Sequence, residues 1–435
     1  MVVRVLGNVE HPVDHIVISG SYLLGITAKS ESANIWSVSD SGINHTCRLV
    51  DPNSARRSAW SCEHHTAPFL DSDRNLVFAM SPPVLHQRDT VCIFKLKNGQ
   101  LAPGTVIRLS SEMPVNIYRY ALQTNGQLLI AGNEGEDHEQ EDFVDDDDAR
   151  EVVAKILLCD PTKEDSPIVK QIVWHRLHDP FFDSIFLLPT GSIIATESHH
   201  HMGHSEHGVA IHLWEPSSSL QLADPSRTIE SFPTVLDAGT DVYLTVEIAA
   251  SVLTSTSLIL CAVESIMDAT PHAESHRSSI RAFSFHGMEE KWSCEPIVGS
   301  VRALHHVQSK GTLIAFGSLN EGSQEDPDWA LTVTAIDESS GAILRAEKLS
   351  YRAFGRRRIA CNVADTETSA PIINILFNDG WLSVMDLAQF VQIGFRDLRN
   401  TGSQVVPPEP KITRGTINER TAAFLRDGRF TVVAW

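Results

Sequence analysis

Between Asp183 and Pro216 the chain reads DSIFLLPTGSIIATESHHHMGHSEHGVAIHLWEP, and this stretch limits the possible fold more than any other. An apolar run from Ile185 to Leu188 meets a Pro-Thr-Gly turn at Pro189 to Gly191. A second apolar run covers Ile193 to Thr196, and after a polar loop a third ends at Trp214. Runs of this length with turn residues between them are short antiparallel strands and not helices. The same grammar recurs along the 435 residues, so the unit is a repeat.

The first unit takes its strands from 15–20, 22–28, 34–39 and 45–50, and the second from 66–71, 75–80, 90–96 and 104–109. The third uses 117–123, 126–132, 152–159 and 170–177; the fourth is the stretch above, completed by 227–232. The fifth uses 241–249, 257–263, 279–285 and 290–294, the sixth 301–307, 311–317, 330–336 and 343–349, and the seventh 356–363, 372–378, 380–387 and 390–395. A polar, proline-bearing connection (Thr401 to Arg414) then leads to 422–427 and 429–435, so the chain stops in mid-unit.

Repeats of about 50 residues with four strands each suit a radial array of small sheets. A lone four-stranded sheet cannot bury both of its faces, whereas neighbours on either side can cover them. The last two strands lack partners, and residues 2–8 at the other terminus supply one. The expected architecture is all-β: a single domain over 1–435, a closed β-propeller of seven or eight four-stranded blades, the final blade completed by the N-terminal strand.

Third-strand tryptophans in NIWSVSDSG (Trp36) and HLWEP (Trp214), with apolar-Gly-apolar hairpins at TNGQLLIAG, PTGSIIAT and SKGTLIAFG, carry a family likeness. By this pattern, over essentially its whole length, the chain resembles the WD40-like β-propeller superfamily. It departs from that family in having no Trp-Asp dipeptide. The resemblance implies a fold and leaves function to the loops.

In a four-strand meander the first-to-second and third-to-fourth turns share one end of the sheet, and the second-to-third loops share the other. The hairpin turns are short. The second-to-third loops are long, at 80–89, 133–151, 197–208, 264–278 and 318–329, which places the elaboration on one face and favours a binding surface.

Two of these loops have a distinct chemistry. The loop at 133–151 holds ten acidic residues between Glu134 and Asp148 and no Lys or Arg, half of the formal net charge of -20. Glu134, Glu136, Asp137, Asp145, Asp146, Asp147 and Asp148 read either as a docking site for a basic partner or as a solvated insertion; the EF-hand spacing is absent. The loop at 197–208 holds five histidines with Glu197 and Glu206. Neutral imidazoles at this density suit zinc, nickel or copper, with His201, His204 and His207 as candidate ligands and His272 and His276 in the neighbouring loop. The plainer reading is a polar loop without cofactor.

Basic clusters are few. Arg356, Arg357 and Arg358 open the seventh unit and could grip a phosphate or a carboxylate tail, or pair with acidic rims. A pI of about 5.4 argues against general nucleic-acid binding. The serine-hydrolase elbow, the P-loop, the dinucleotide fingerprint and the HExxH zinc motif are all missing. His178-Asp179 reads as a loop tie, and of His305-His306 on a first strand only one can face a central channel. The seven cysteines are scattered, with no C-x-x-C pair, and read as reduced, strand-buried thiols of a cytoplasmic or nuclear protein. No signal-peptide core is visible at the start, and the most apolar window, 242–263, divides into two strands around SVLTSTS and does not cross a bilayer.

These readings favour a protein-interaction scaffold or substrate-recognition module, a monomer within a larger complex, docking other proteins through the face with the long loops and having no enzyme activity. The competing expectation is a metal-dependent enzyme, of hydrolase or lyase type, centred on the histidine-rich loop with zinc or another divalent ion.

Overall fold

The computed structural model describes residues 4–9, 13, 15–26, 33–49, 69–71, 73–80, 90–97, 100–102, 106–108, 115–123, 125–134, 152–163, 167–176, 182–198, 209–232, 243–267, 274–320, 329–350, 358–364, 371–377, 381–387, 389, 391–397, 414–417, 421–426 and 429–434. These residues fold as an all-β, propeller-type array. They form eight separate sheets built from antiparallel meanders, none of which closes on itself into a barrel.

The first sheet consists of His15–Ser19, Tyr22–Ile26, Ala33–Ser39 and Gly42–Leu49. The second is Phe69–Asp71, Leu76–Met80 and Thr90–Lys97, with an outer edge split between Gln100–Ala102 and Val106–Arg108. Val115–Leu122, Leu128–Glu134, Val152–Cys159 and Ile168–Arg176 make the third, and Phe182–Leu187, Ile193–Ser198, Val209–Trp214 and Arg227–Ser231 the fourth. The fifth is Tyr243–Leu253, Ser257–Met267, Glu274–Ser284 and Glu290–Ser293, edged by Ile297–Val298. The sixth is Ser300–Val307, Thr312–Asn320, Trp329–Asp337 and Ile343–Ser350, and the seventh Arg358–Ala364, Ile372–Phe377, Trp381–Asp386 and Val391–Asp397. Arg414–Ile417, Thr421–Arg426 and Arg429–Ala434 form the eighth together with Arg4–Val9 from the other end of the chain.

Alternation along each strand explains why the sheets need one another. Val209, Ile211 and Leu213 of the fourth sheet pack with Leu258, Leu260 and Phe283 of the fifth. On the opposite face Ile193, Ala195 and Trp214 pack with Ile156, Leu158 and Ile172 of the third. Both faces of the sheet are therefore apolar, and its second strand, Ile193–Ser198, is buried throughout. Each fully buried Leu or Ile contributes roughly 1.5–3 kcal/mol, so a sheet without neighbours would expose much of what holds it together.

The same arrangement continues through the chain. Shared apolar clusters join the first sheet to the second, the second to the third, the fifth to the sixth and the sixth to the seventh. The first strands of the seventh and eighth sheets are in contact. Ala423 and Val432 of the eighth pack with Ile16, Ile18, Leu23 and Trp36 of the first. Backbone pairing then ties the two chain ends: Val5 faces Val433, Asn8 faces Thr431 and Val9 faces Phe430, antiparallel.

Several sequence-based expectations change. Arg414–Ile417 begins at the last residue of the connection expected to be unpaired, and it gives the eighth sheet its inner strand. In the fifth sheet the second and third strands run eleven residues each, with Glu264 opposite Arg277 and Met267 opposite Glu274, so most of the expected 264–278 loop is hairpin. His276 accordingly sits on a strand, its Nδ1 2.8 Å from Ser265 Oγ, and not in a loop.

The hairpin turns are not all short either. After Trp214 the chain makes a twelve-residue excursion over 215–226, in which Gln221–Leu222 pairs in parallel with Gln171–Ile172 on the outer strand of the third sheet. Elaboration is therefore not confined to one end. Long second-to-third connections do share one end in the first six sheets, over 27–32, 81–89, 135–151, 199–208, 268–273 and 321–328, whereas those of the seventh and eighth are short, over 378–380 and 427–428.

Cys47, Cys92, Cys159, Cys261 and Cys294 are free thiols, and all but Cys47 are buried. Burial pushes the Cys159 thiol up to about 12 and, with the charge of Glu295, Cys294 to about 11, which disfavours the thiolate form. Among the described residues no helix is long and apolar enough to cross a membrane.

Candidate functional site

The histidine-rich connection springs from the fourth sheet, and the strands on either side of it carry a polar cluster inside the protein. Alternation turns Ala195 and Glu197 of the second strand and His212 and Trp214 of the third toward the third sheet. There they meet Trp174 and Arg176 of its outer strand.

Glu197 and His212 are 6% and 3% exposed, so neither can rely on water for its hydrogen bonds. They bond to each other, His212 Nε2 lying 3.0 Å from Glu197 Oε2. Arg176 Nη1 donates to the same carboxylate oxygen. His212 Nδ1 is 3.1 Å from Thr228 Oγ1 on the fourth strand, so both ring nitrogens have partners. The Arg176 guanidinium lies over the Trp174 ring, 4.4 Å from its centroid, and the His212 ring meets that indole edge-on at 4.7 Å. One residue further along, Ser198 Oγ donates to Asp183 Oδ2 on the sheet's first strand.

Burial alone would push the Glu197 carboxyl up. The hydrogen bond with His212 and the charge and hydrogen bond of Arg176 outweigh it, and the group is held below the ordinary carboxylate range. A carboxylate, a guanidinium, an imidazole and a hydroxyl thus form one network across two sheets. Its effect is mechanical: both ends of the connection at 199–208 leave from anchored strands, through Glu197 and Ser198 on one side and His212 on the other.

His201, His204 and His207 lie outside the described residues. Glu197, grouped with them by sequence, faces inward and is bonded to Arg176 and His212. Among the described residues no group of three or more His, Cys, Asp or Glu side chains is placed to hold a metal. In the acidic connection Glu134 ends a strand opposite Val153, and Glu136, Asp137, Asp145, Asp146, Asp147 and Asp148 lie outside the described residues. Arg358 opens the inner strand of the seventh sheet opposite Phe377; Arg356 and Arg357 lie outside, as do His178 and Asp179. His306 Nε2 is 2.8 Å from Glu338 Oε2, and the His305 ring packs edge-on to Phe316 at 5.4 Å.

Sequence reasoning missed Arg176, Trp174 and His212. The signal was present: a histidine in the middle of VAIHLW and an arginine in phase with Trp174 in IVKQIVWHR are polar interruptions of apolar strand faces. Such residues must find each other or water.

No protein-family model matches the chain, and no curated protein matches it. Among solved structures it is similar to BamB from Moraxella catarrhalis, at 11% identity over 100% of both chains with a TM-score of 0.49. A likeness of that degree says nothing about function.

Proposed function

We propose that residues 1–435 form a single closed propeller of eight blades, WD40-like in kind, that works as a protein-interaction scaffold or substrate-recognition module. Its docking surface is the end bearing the long second-to-third connections, and its partners are proteins with basic segments. The shared end from which six such connections leave is the observation that carries this reading. Cyclic packing of the sheets and the pairing of the two termini support the ring. The buried network beneath 199–208 supports a recognition role, because loops that bind are held by rigid roots.

Charge supplies the partner's chemistry. The acidic run from Glu134 to Asp148 would attract a Lys/Arg-rich segment at moderate ionic strength and release it as salt screens the field. Replacing 135–148 by a short Gly-Ser linker keeps Glu134 opposite Val153 and should move the thermal midpoint by no more than about 2 °C. Capture of a synthetic Lys/Arg-rich peptide should weaken at least tenfold, roughly 1.4 kcal/mol. Unchanged capture would remove the acidic connection from the docking surface.

A further inference from the structure

At the opposite end of the sheets, the excursion over 215–226 roofs a groove of about 580 Å3 between the third and fourth sheets. Small-molecule sites usually occupy about 300–1,000 Å3 and combine apolar walls with a few placed polar groups. Leu158, Val169, Leu187, Leu188, Pro189 and Leu220 supply the walls here. Leu220 is 63% exposed, and it is held in that position by backbone pairing: the Gln171 amide donates to its carbonyl at 2.9 Å.

Among the described residues lining the groove, Lys170 is the one that carries a charge. Its Nζ donates to the Ser217 carbonyl at 3.1 Å, which uses one of three ammonium hydrogens. Several described cations pair with carboxylates, as Lys163 does with Asp160, Arg176 with Glu197, Arg281 with Glu290, Arg302 with Glu247 and Arg345 with Glu347, while Arg227 and Lys291 meet the Gly287 carbonyl and the Ser257 hydroxyl. Lys170 meets its carbonyl at the rim of an apolar concavity. Beside it Ser217 Oγ accepts from the Ser219 amide at 3.1 Å, which leaves its own hydrogen to donate.

We propose that this groove binds a small amphipathic carboxylate. The hydrocarbon part lies along the leucine wall under Leu220, and the carboxylate takes the remaining hydrogens of Lys170 with the Ser217 hydroxyl beside it. The site is at the far end of the sheets from the proposed docking surface, and its test does not depend on that reading.

The test is calorimetric titration of the full chain with octanoate below its micellar concentration, with octan-1-ol and octylammonium in parallel. One saturable site is expected, with octanoate bound at least tenfold tighter than the alcohol and octylammonium not bound. Lys170→Gln should erase the preference for octanoate over the alcohol. Leu220→Asp, at a position exposed enough to tolerate it, should weaken octanoate tenfold or more with the thermal midpoint unchanged, and this variant decides the matter if Lys170→Gln does not fold. No saturable binding, a stoichiometry well above one, or octanoate affinity that survives these substitutions overturns the proposal.

Discussion

Glu197 shows how one residue can stabilise or unsettle the interface between two sheets. Removing a partner from a buried ion pair leaves the other charge without compensation and typically costs 3–5 kcal/mol. Arg176 keeps 19% exposure, so water recovers part of the loss. Glu197→Ala should therefore cost about 3 kcal/mol, at the low end of that range, read as a drop in denaturant midpoint at neutral pH. The depressed carboxyl also fixes a sign. Its contribution is complete above the unfolded-state value of about 4.3 and is lost as pH falls through the lower folded value. Between about pH 5 and 2 the wild-type chain should lose stability more steeply than Glu197→Gln; parallel slopes would show that the network does not hold the carboxylate in its charged form.

At the scale of elements, most strands could be read in advance, because period-two apolar runs and glycine turns are local signals. Elements built on distant pairing could not. Gln221–Leu222 lies in EPSSSLQLADPS, which has the composition of a loop, and becomes a strand only because the edge of Ile168–Arg176 is beside it. Arg414–Ile417 is short and polar and follows a proline-rich connection, so its strand character comes from Thr421–Arg426. The histidine-rich connection was conspicuous in sequence, whereas the network holding its roots is assembled by hydrogen bonds between different strands, joining residues 15 to 21 apart. The excursion over 215–226 covers an edge strand that would otherwise present unpaired backbone groups. Replacing it with a two-residue Asn-Gly turn should speed hydrogen exchange at the Gln171 amide by at least tenfold and promote self-association through the bared edge. Unchanged exchange at Gln171 would mean that the pairing contributes nothing.

For the whole molecule, the four-strand repeat and the need for a partner at the last unit were legible because each sheet has two apolar faces to cover. The number of sheets was not, since the inner strand of the eighth carries almost no apolar pattern. Ring closure is the claim on which a shared docking end depends: if the termini do not pair, the long connections have no common side. The pairing of Val5 with Val433 can be tested directly. In Val5→Cys/Val433→Cys, mild oxidation of the native chain should form a disulfide between these two positions, identified by peptide mapping. Because it clamps a loop spanning nearly the whole chain, it should raise the thermal midpoint by roughly 5 °C over the reduced form. Two thiols that stay separately alkylatable in the native protein, with no 5–433 cross-link, would contradict the closed ring.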